Sequence, residues 1–269
     1  MTKESISTSQ NSVKIKLLTL LTQEMLTPLT SVMGMATVLN QEIYGSLTDK
    51  QREYVEVINE RSRYLRSLVE EIITLAKLEE DTTLEQTAVD IKTLCQQIIR
   101  NLEAEAAHRQ VEIQLLAGPN DRIWLLDKVV VEQALHNLIL SVIISAGSGS
   151  GVKIHLSEKQ QELNVAVWVS HAFLGDNLPH AQLYSQQLSK LEQNGSGSLN
   201  RLPIKFSDLR TIIFEETPKQ PETSAANQTR ELLALLLSCQ LAEKHGGSLC
   251  IQGSTELGYR YIMTIPLSK

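Results

Sequence analysis

Cysteine is scarce in this chain of 269 residues, and its three copies, Cys95, Cys239 and Cys250, do not have the spacing of a metal-binding motif. Buried, reduced thiols are the simplest interpretation, which fits a reducing compartment. Basic charge is not in excess, because 25 lysines and arginines stand against 31 aspartates and glutamates, for a net charge of −6. This balance argues against broad affinity for nucleic acid or for an anionic membrane.

Long hydrophobic runs are also missing. No uninterrupted apolar stretch reaches the roughly 18 residues of a membrane span. The nearest candidate, residues 129–146, is interrupted by polar residues between Glu132 and Asn137. The N-terminus lacks the layout of a signal peptide. The composition, 42% apolar and 21% charged, is typical of a globular protein. We therefore expect a cytoplasmic protein with no direct membrane span.

A long helical pattern extends from Leu17 to Leu78. Apolar residues recur at every seventh position on two arms, which predicts a helical hairpin with a coiled-coil seam. Gly45 can stop the first helix, and Thr48 or Asp49 can cap the second. Because each helix of such a hairpin buries one stripe, we expect two copies to form a four-helix bundle. The predicted dimer interface consists of Leu18, Met25, Val32, Leu39, Ile58, Leu65, Leu68, Ile72 and Leu75.

Three stretches of the hairpin carry a family resemblance. They are Gln23-Glu24-Met25-Leu26-Thr27-Pro28-Leu29, the turn at residues 44–54, and the end of the second helix at residues 72–79. The first resembles the H-box of sensor histidine kinases, normally His-Glu-Leu-Arg-Thr-Pro-Leu, and the others resemble the turn and second helix of the same dimerisation domain. The resemblance implies a homodimer that works with a response regulator receiver domain or with an active histidine kinase.

The phosphoacceptor position departs from this family, because Gln23 stands where the histidine is expected. An amide nitrogen is delocalised into its carbonyl and cannot replace an imidazole nucleophile. All six histidines lie outside the hairpin, so a small register shift cannot supply one. Glu24 and Thr27 keep the family's Glu-x-x-Thr arrangement, which supports dephosphorylation of the response regulator. The alternative is structural: Thr27-Pro28 shapes a kink, and Glu24 is solvated.

The remainder of the chain mixes helices and alternating strands, which predicts an α+β sandwich. Its element order resembles the ATP-binding domain that histidine kinases share with gyrase and Hsp90-type ATPases. The predicted organisation is a polar N-terminal tail (residues 1–13), the dimerisation hairpin (14–80), a linker (81–88) and an ATPase-like domain (89–269). A long insertion at about residues 172–229 takes the place of the ATP lid. A surface insertion without a lid role fits the same pattern.

The resemblance also assigns the family's nucleotide-binding positions to residues of this chain. Its binding positions fall on Asn137, Ser141, His171, Gly175, Leu232 and Ala234. Asn137 matches the family, but Ser141 replaces a magnesium-ligating asparagine and His171 replaces the adenine-reading aspartate. Leu232 and Ala234 replace glycines that let backbone amides approach the phosphates. We expect these positions to be vestigial, with no metal and no cofactor, and with ATP and Mg²⁺ bound only if the site is still competent.

Three functions remain open. The first, which we favour, is an inactive histidine-kinase relative that acts as a dimeric interaction module in two-component signalling. The second is a response-regulator phosphatase that uses Glu24 and Thr27. The third is an active ATP-dependent kinase with unusual motifs.

Overall fold

The computed structural model describes residues 3–78, 84–118, 123–159, 161–170, 201–205, 222–254 and 258–266. The chain divides into two compact units, residues 1–82 and residues 83–269. The first is helical and the second combines helices with sheets, which confirms the predicted fold class.

The first unit is a helical hairpin of α1 (Lys3–Asn40) and α2 (Asp49–Leu78). Gly45 lies in the turn with a φ of 136°, a backbone conformation that favours glycine. Thr48 caps α2: the Gln51 backbone N–H donates to its hydroxyl at 3.3 Å, and the Thr48 N–H donates to the Gln51 side chain at 2.9 Å. This reciprocal pair is a capping box, so the predicted helix start is confirmed at Thr48.

The second unit contains three helices and eight strands in its described part. The helices are α3 (Ile91–His108), α4 (Lys128–Ser145) and α5 (Glu222–Lys244). The strands are β1 (Gln86–Asp90), β2 (Glu112–Ala117), β3 (Ile123–Asp127), β4 (Gly151–Lys159), β5 (Glu162–Ser170), β6 (Arg201–Ile204), β7 (Ser248–Ser254) and β8 (Gly258–Pro266).

Six of these strands form one sheet in the order β2-β4-β5-β8-β7-β6, while β1 and β3 form a separate antiparallel pair. Strands β2 and β4 are parallel, and the other neighbours in the large sheet are antiparallel. Every second residue along the central strands is fully buried, as at Val165 and Val167 of β5. The buried residues of α4 and α5 supply the other half of this core. A helical layer against a mixed sheet is the architecture that the alternation predicted.

Two aspartates end strands and start helices. Asp90 accepts hydrogen bonds from the backbone N–H groups of Lys92 and Thr93 at 3.0 and 3.2 Å, and so caps α3. Asp127 caps α4 through the Val130 N–H at 3.1 Å, as predicted. The backbone N–H of Asp127 also donates to Nε2 of buried His245 at 3.0 Å, which ties the start of α4 to the end of α5.

Some helices and strands of the structure cross or fall within the predicted segment boundaries. Helix α1 already begins at Lys3, within the predicted polar tail, since no glycine or proline precedes Pro28 to stop it. Strand β1 begins at Gln86, within the predicted linker, and its pairing with β3 is a long-range contact that local sequence does not reveal. The predicted insertion at 172–229 contains strand β6 and the start of α5.

Helix α4 is long and apolar enough by composition to cross a membrane, the one such helix in the part of the chain that the structure describes. Eleven of its residues are buried, from Val131 to Ile144. Because these residues pack in the interior of the second unit, we interpret α4 as a core helix.

Candidate functional site

Gln23, Glu24 and Thr27 lie on an exposed surface of α1. Residues three and four apart are neighbours on a helix, so the three side chains form one continuous patch. Pro28 follows inside the helix, where it removes a backbone donor. The patch offers a carboxylate and a hydroxyl to solvent, while its amide cannot accept a phosphoryl group.

A second surface of the hairpin carries an apolar stripe. On α1 it comprises Leu21, Met25, Val32, Met35 and Leu39, and on α2 Tyr54, Ile58 and Leu65, all exposed. Leu68 and Ile72 continue the stripe and are partly buried. Met25 is 54% exposed and Leu65 46% exposed, a large apolar area for one stripe. Leu18 and Leu75 lie in the same helices, but their side chains are outside the described part.

The contact between α1 and α2 within one hairpin uses other residues. Its buried members are small: Thr22 and Ala36 on α1, and Val55, Ser62 and Val69 on α2. They follow the same seven-residue spacing, with one position skipped between Thr22 and Ala36, and each lies one residue after a position of the stripe spacing. Sequence inspection missed this series because threonine, alanine and serine are not strongly apolar. The larger residues of the stripe are therefore left exposed in a single hairpin.

In the second unit, Asn137 and Ser141 lie on α4 and are buried. Ser141 is only 1% exposed, and its hydroxyl donates to the backbone carbonyl of Leu138 at 2.9 Å. A hydroxyl held by its own helix in the core does not face solvent, where a hydrated Mg²⁺ would sit. Ser141 thus does not fit the role of a magnesium ligand.

Leu232 and Ala234 are buried in the interior of α5, which begins ten residues before Leu232 at Glu222. Backbone N–H groups in a helix interior donate to carbonyls four residues earlier and are not available to a phosphate. Anion binding by a helix needs its free N-terminal amides. The unbroken helix therefore leaves no free backbone N–H groups for a phosphate at Leu232 and Ala234.

A network of ion pairs, which sequence inspection missed, joins α5 to α3 at this place. Glu105 of α3 accepts from Arg230 Nη1 of α5 at 3.0 Å and from Arg109 Nε at 2.9 Å. Arg109 also reaches the carbonyl of Ile144 at the end of α4 at 3.4 Å. Three helices are thus held together close to Leu232, where the family resemblance places a phosphate loop. The sequence feature that could have indicated this network is the charged pair Arg230-Glu231, which directly precedes an apolar run.

The charges in this network shift the pKa values of their neighbours. Burial alone would raise the pKa of Glu105, but Arg230 and Arg109 outweigh it and hold the pKa below its usual range. Burial and then Arg230 lower the pKa of His136. Glu231 is 3% exposed, and burial raises its pKa to about 8 against the opposing pull of Arg109. Its carboxyl is therefore neutral at pH 7.

Two predicted positions, His171 and Gly175, lie outside the described residues. Within the ranges that the structure describes, no group of three or more histidine, cysteine or acidic side chains could hold a metal ion. The described part of the site thus consists of α4, α5 and the ion pairs that join α5 to α3.

Comparison with known proteins agrees with this architecture. Residues 13–81 match the model of the histidine kinase A phospho-acceptor domain. The chain is homologous to sensor histidine kinases. Over 98% of its length it is 32% identical to the circadian input-output histidine kinase CikA of Thermosynechococcus vestitus, and over 97% it is 25% identical to CikA of Synechococcus elongatus. The present chain spans 33% and 31% of these two relatives, about a third of their length.

Solved structures share the fold. The structure of full-length ShkA in complex with AMPPNP matches the present chain with a TM-score of 0.59 and 22% sequence identity. The match covers 94% of the present chain and 46% of the ShkA chain. The structure of the histidine kinase ThkA in complex with the response regulator TrrA matches with a TM-score of 0.53 and 15% sequence identity. The match covers 98% of the present chain and 66% of the matched chain. These matches confirm the predicted histidine kinase fold.

Proposed function

We propose that this chain is a catalytically inactive histidine-kinase relative that acts as a dimeric regulatory module in two-component signalling. It pairs through the apolar stripe of its hairpin and presents the α1 patch to a receiver domain or to an active kinase. We place it in the cytoplasm, where such partners work. The ThkA–TrrA complex supports the choice of a response regulator as partner.

The observation that carries this proposal is the course of α5 through Leu232 and Ala234. The helix takes up the backbone amides that would hold the phosphates, and the leucine side chain fills space beside them. Gln23 removes the acceptor independently. The course of α5 opposes nucleotide binding in the second unit, and Gln23 opposes phosphoryl acceptance in the first. Either feature alone is unfavourable for phosphoryl transfer.

The magnitudes support weak or absent nucleotide binding. Micromolar to millimolar affinity corresponds to about 4–8 kcal/mol. Each hydrogen bond to a charged group contributes about 1.5–3 kcal/mol. Loss of the phosphate donors, a magnesium ligand and the adenine reader would remove most of that free energy, even though such contributions are not additive.

Calorimetric titration of the chain with ATP and Mg²⁺ should give no saturable heat, with any Kd weaker than about 1 mM. The physical reason is the absence of free amides at Leu232 and Ala234. Saturable binding at micromolar nucleotide would contradict the proposal.

The variant Gln23→His provides the matched control, because it restores the acceptor without touching the nucleotide site. Incubated with labelled ATP, it should remain unlabelled. A separate active histidine kinase that labels it in trans would show that the hairpin is folded and accessible. Self-labelling would instead establish a working nucleotide site.

A second function, phosphatase activity toward the response regulator, is favoured by one observation. Glu24 and Thr27 are exposed next to each other on α1, where a hydroxyl could orient a water toward an aspartyl phosphate. Substitution Thr27→Ala should then slow the loss of phosphate from the partner about tenfold or more. Ser31→Ala, one turn away on the same helix, is the control. Equal rates for wild type and Thr27→Ala would exclude this activity.

A further inference from the structure

The apolar stripe of α2 contains one charge. Arg61 has Ile58 three residues before it and Leu65 four residues after it, both exposed stripe members, and Leu68 lies seven residues after it. On a helix these offsets place all four side chains on one face in the alternating spacing of a coiled-coil seam. Arg61 therefore interrupts the stripe from within, not from its edge.

The seam positions next to this arginine carry no acid. Its helical neighbours three and four residues away are Val57, Ile58, Tyr64 and Leu65, none of which is a carboxylate. Helices α1 and α2 run antiparallel from a common turn, so Arg61, twelve residues into α2, is level with α1 near Pro28, twelve residues from its end. The residues there, Thr27 to Ser31, carry no negative charge either. No acid therefore lies on the seam face at the level of Arg61, because the adjacent Glu60 falls outside the seam spacing.

Symmetry makes this charge unfavourable in a homodimer. Two identical hairpins related by a twofold axis along the bundle place equal levels opposite each other, so Arg61 meets its own copy. Like charges in a seam oppose pairing, whereas an acid opposite the arginine favours it. The surrounding apolar residues exclude water and strengthen both effects.

We infer that Arg61 selects the partner of this hairpin, and that the preferred partner is a related dimerisation hairpin with a carboxylate at the level of Arg61. This rests on the proposed pairing through the stripe, and it names the partner's chemistry. It does not depend on the nucleotide site. The identical copy pairs as well, but more weakly.

Mixing full-length wild type with the Arg61→Glu variant tests this inference. One of the two is isotopically heavy, the mixture is co-refolded at micromolar concentration, and native mass spectrometry counts the dimers. Random pairing gives about half heterodimers. We expect the ratio of heterodimer to homodimer to exceed the random ratio by about tenfold or more. A random ratio would overturn the inference.

Arg63→Glu is the matched control, because Arg63 is an exposed arginine two residues away and outside the seam spacing. Mixed with wild type, it should pair at random.

Arg61→Leu should tighten the homodimer about tenfold or more, since it completes the apolar stripe. An unchanged homodimer Kd in Arg61→Leu would also count against the inference. ATP binding in the titration above would refute the proposed inactivity without altering these ratios.

Discussion

Replacing Leu65 with glutamate should convert the chain from a dimer to a monomer. Leu65 lies in the middle of the stripe on α2 and is 46% exposed in one hairpin. In the proposed bundle, a carboxylate at this position would be desolvated twice per dimer. Arg61, four residues before it on α2, offsets only part of that desolvation, which leaves a net cost of several kcal/mol. We therefore expect Kd to rise by at least about a thousandfold. Sedimentation equilibrium across micromolar concentrations measures it.

The control for Leu65→Glu is Leu20→Glu. Leu20 is also a leucine exposed on the hairpin, but it falls outside the alternating series that runs from Leu21 to Leu39. This variant should remain dimeric. Circular dichroism should show equal helix content in both variants, which separates lost pairing from unfolding. A Leu65→Glu protein that stays dimeric at micromolar concentration would show that the stripe is not the interface.

Replacing Glu231 with glutamine should make the second unit markedly more stable in mild alkali. The carboxyl of Glu231 is buried with a pKa raised to about 8, against 4.5 for an ordinary glutamate. The folded protein therefore retains a proton that the unfolded chain releases above about pH 4.5. As pH rises from 4.5 to 8, folding becomes less favourable by about 1.4 kcal/mol per pH unit. Above the folded-state pKa the loss is complete.

Glutamine keeps the shape of Glu231 without this titration. The difference in unfolding free energy between variant and wild type should be small near pH 4 and reach several kcal/mol at pH 8.5. Urea unfolding at both pH values measures it. Glu103→Gln, an exposed position on α3, is the control and should leave the pH dependence unchanged. A parallel pH profile for Glu231→Gln and wild type would show that Glu231 is ionised in the folded state.

Local pattern was sufficient for some elements and insufficient for others. The hairpin, the caps at Thr48 and Asp127, and the paired strands β4 and β5 follow from periodicity and from short-range hydrogen bonds. Strand β6 was missed because its pairing with β7 joins residues far apart in the chain. Strand β1 was missed for the same reason. Nothing in five residues of sequence distinguishes such a strand from a linker until its partner is known.

At the positions that the resemblance assigns to the nucleotide site, some features also follow from local sequence and others need tertiary contacts. The replacements at Gln23, Ser141, Leu232 and Ala234 are visible in the sequence. The length of α5 is not, because residues 222–228 are polar and were expected to form a loop. The packing of α5 against α4 and the ion pair from Arg230 to Glu105 hold the helix where local propensity alone would be marginal. The course of α5 therefore depends on tertiary contacts as well as on local sequence.

By itself, the sequence determined the family resemblance, the seven-residue series and the glutamine at the position that the resemblance assigns to the acceptor histidine. These depend on residue identity at fixed spacing, which a chain carries whether or not it is folded. The tertiary structure decided which series packs within the hairpin and which is left exposed, and it brought Glu105, Arg109 and Arg230 together. Those outcomes depend on side-chain size across a contact and on distances between residues more than a hundred positions apart, such as Glu105 and Arg230.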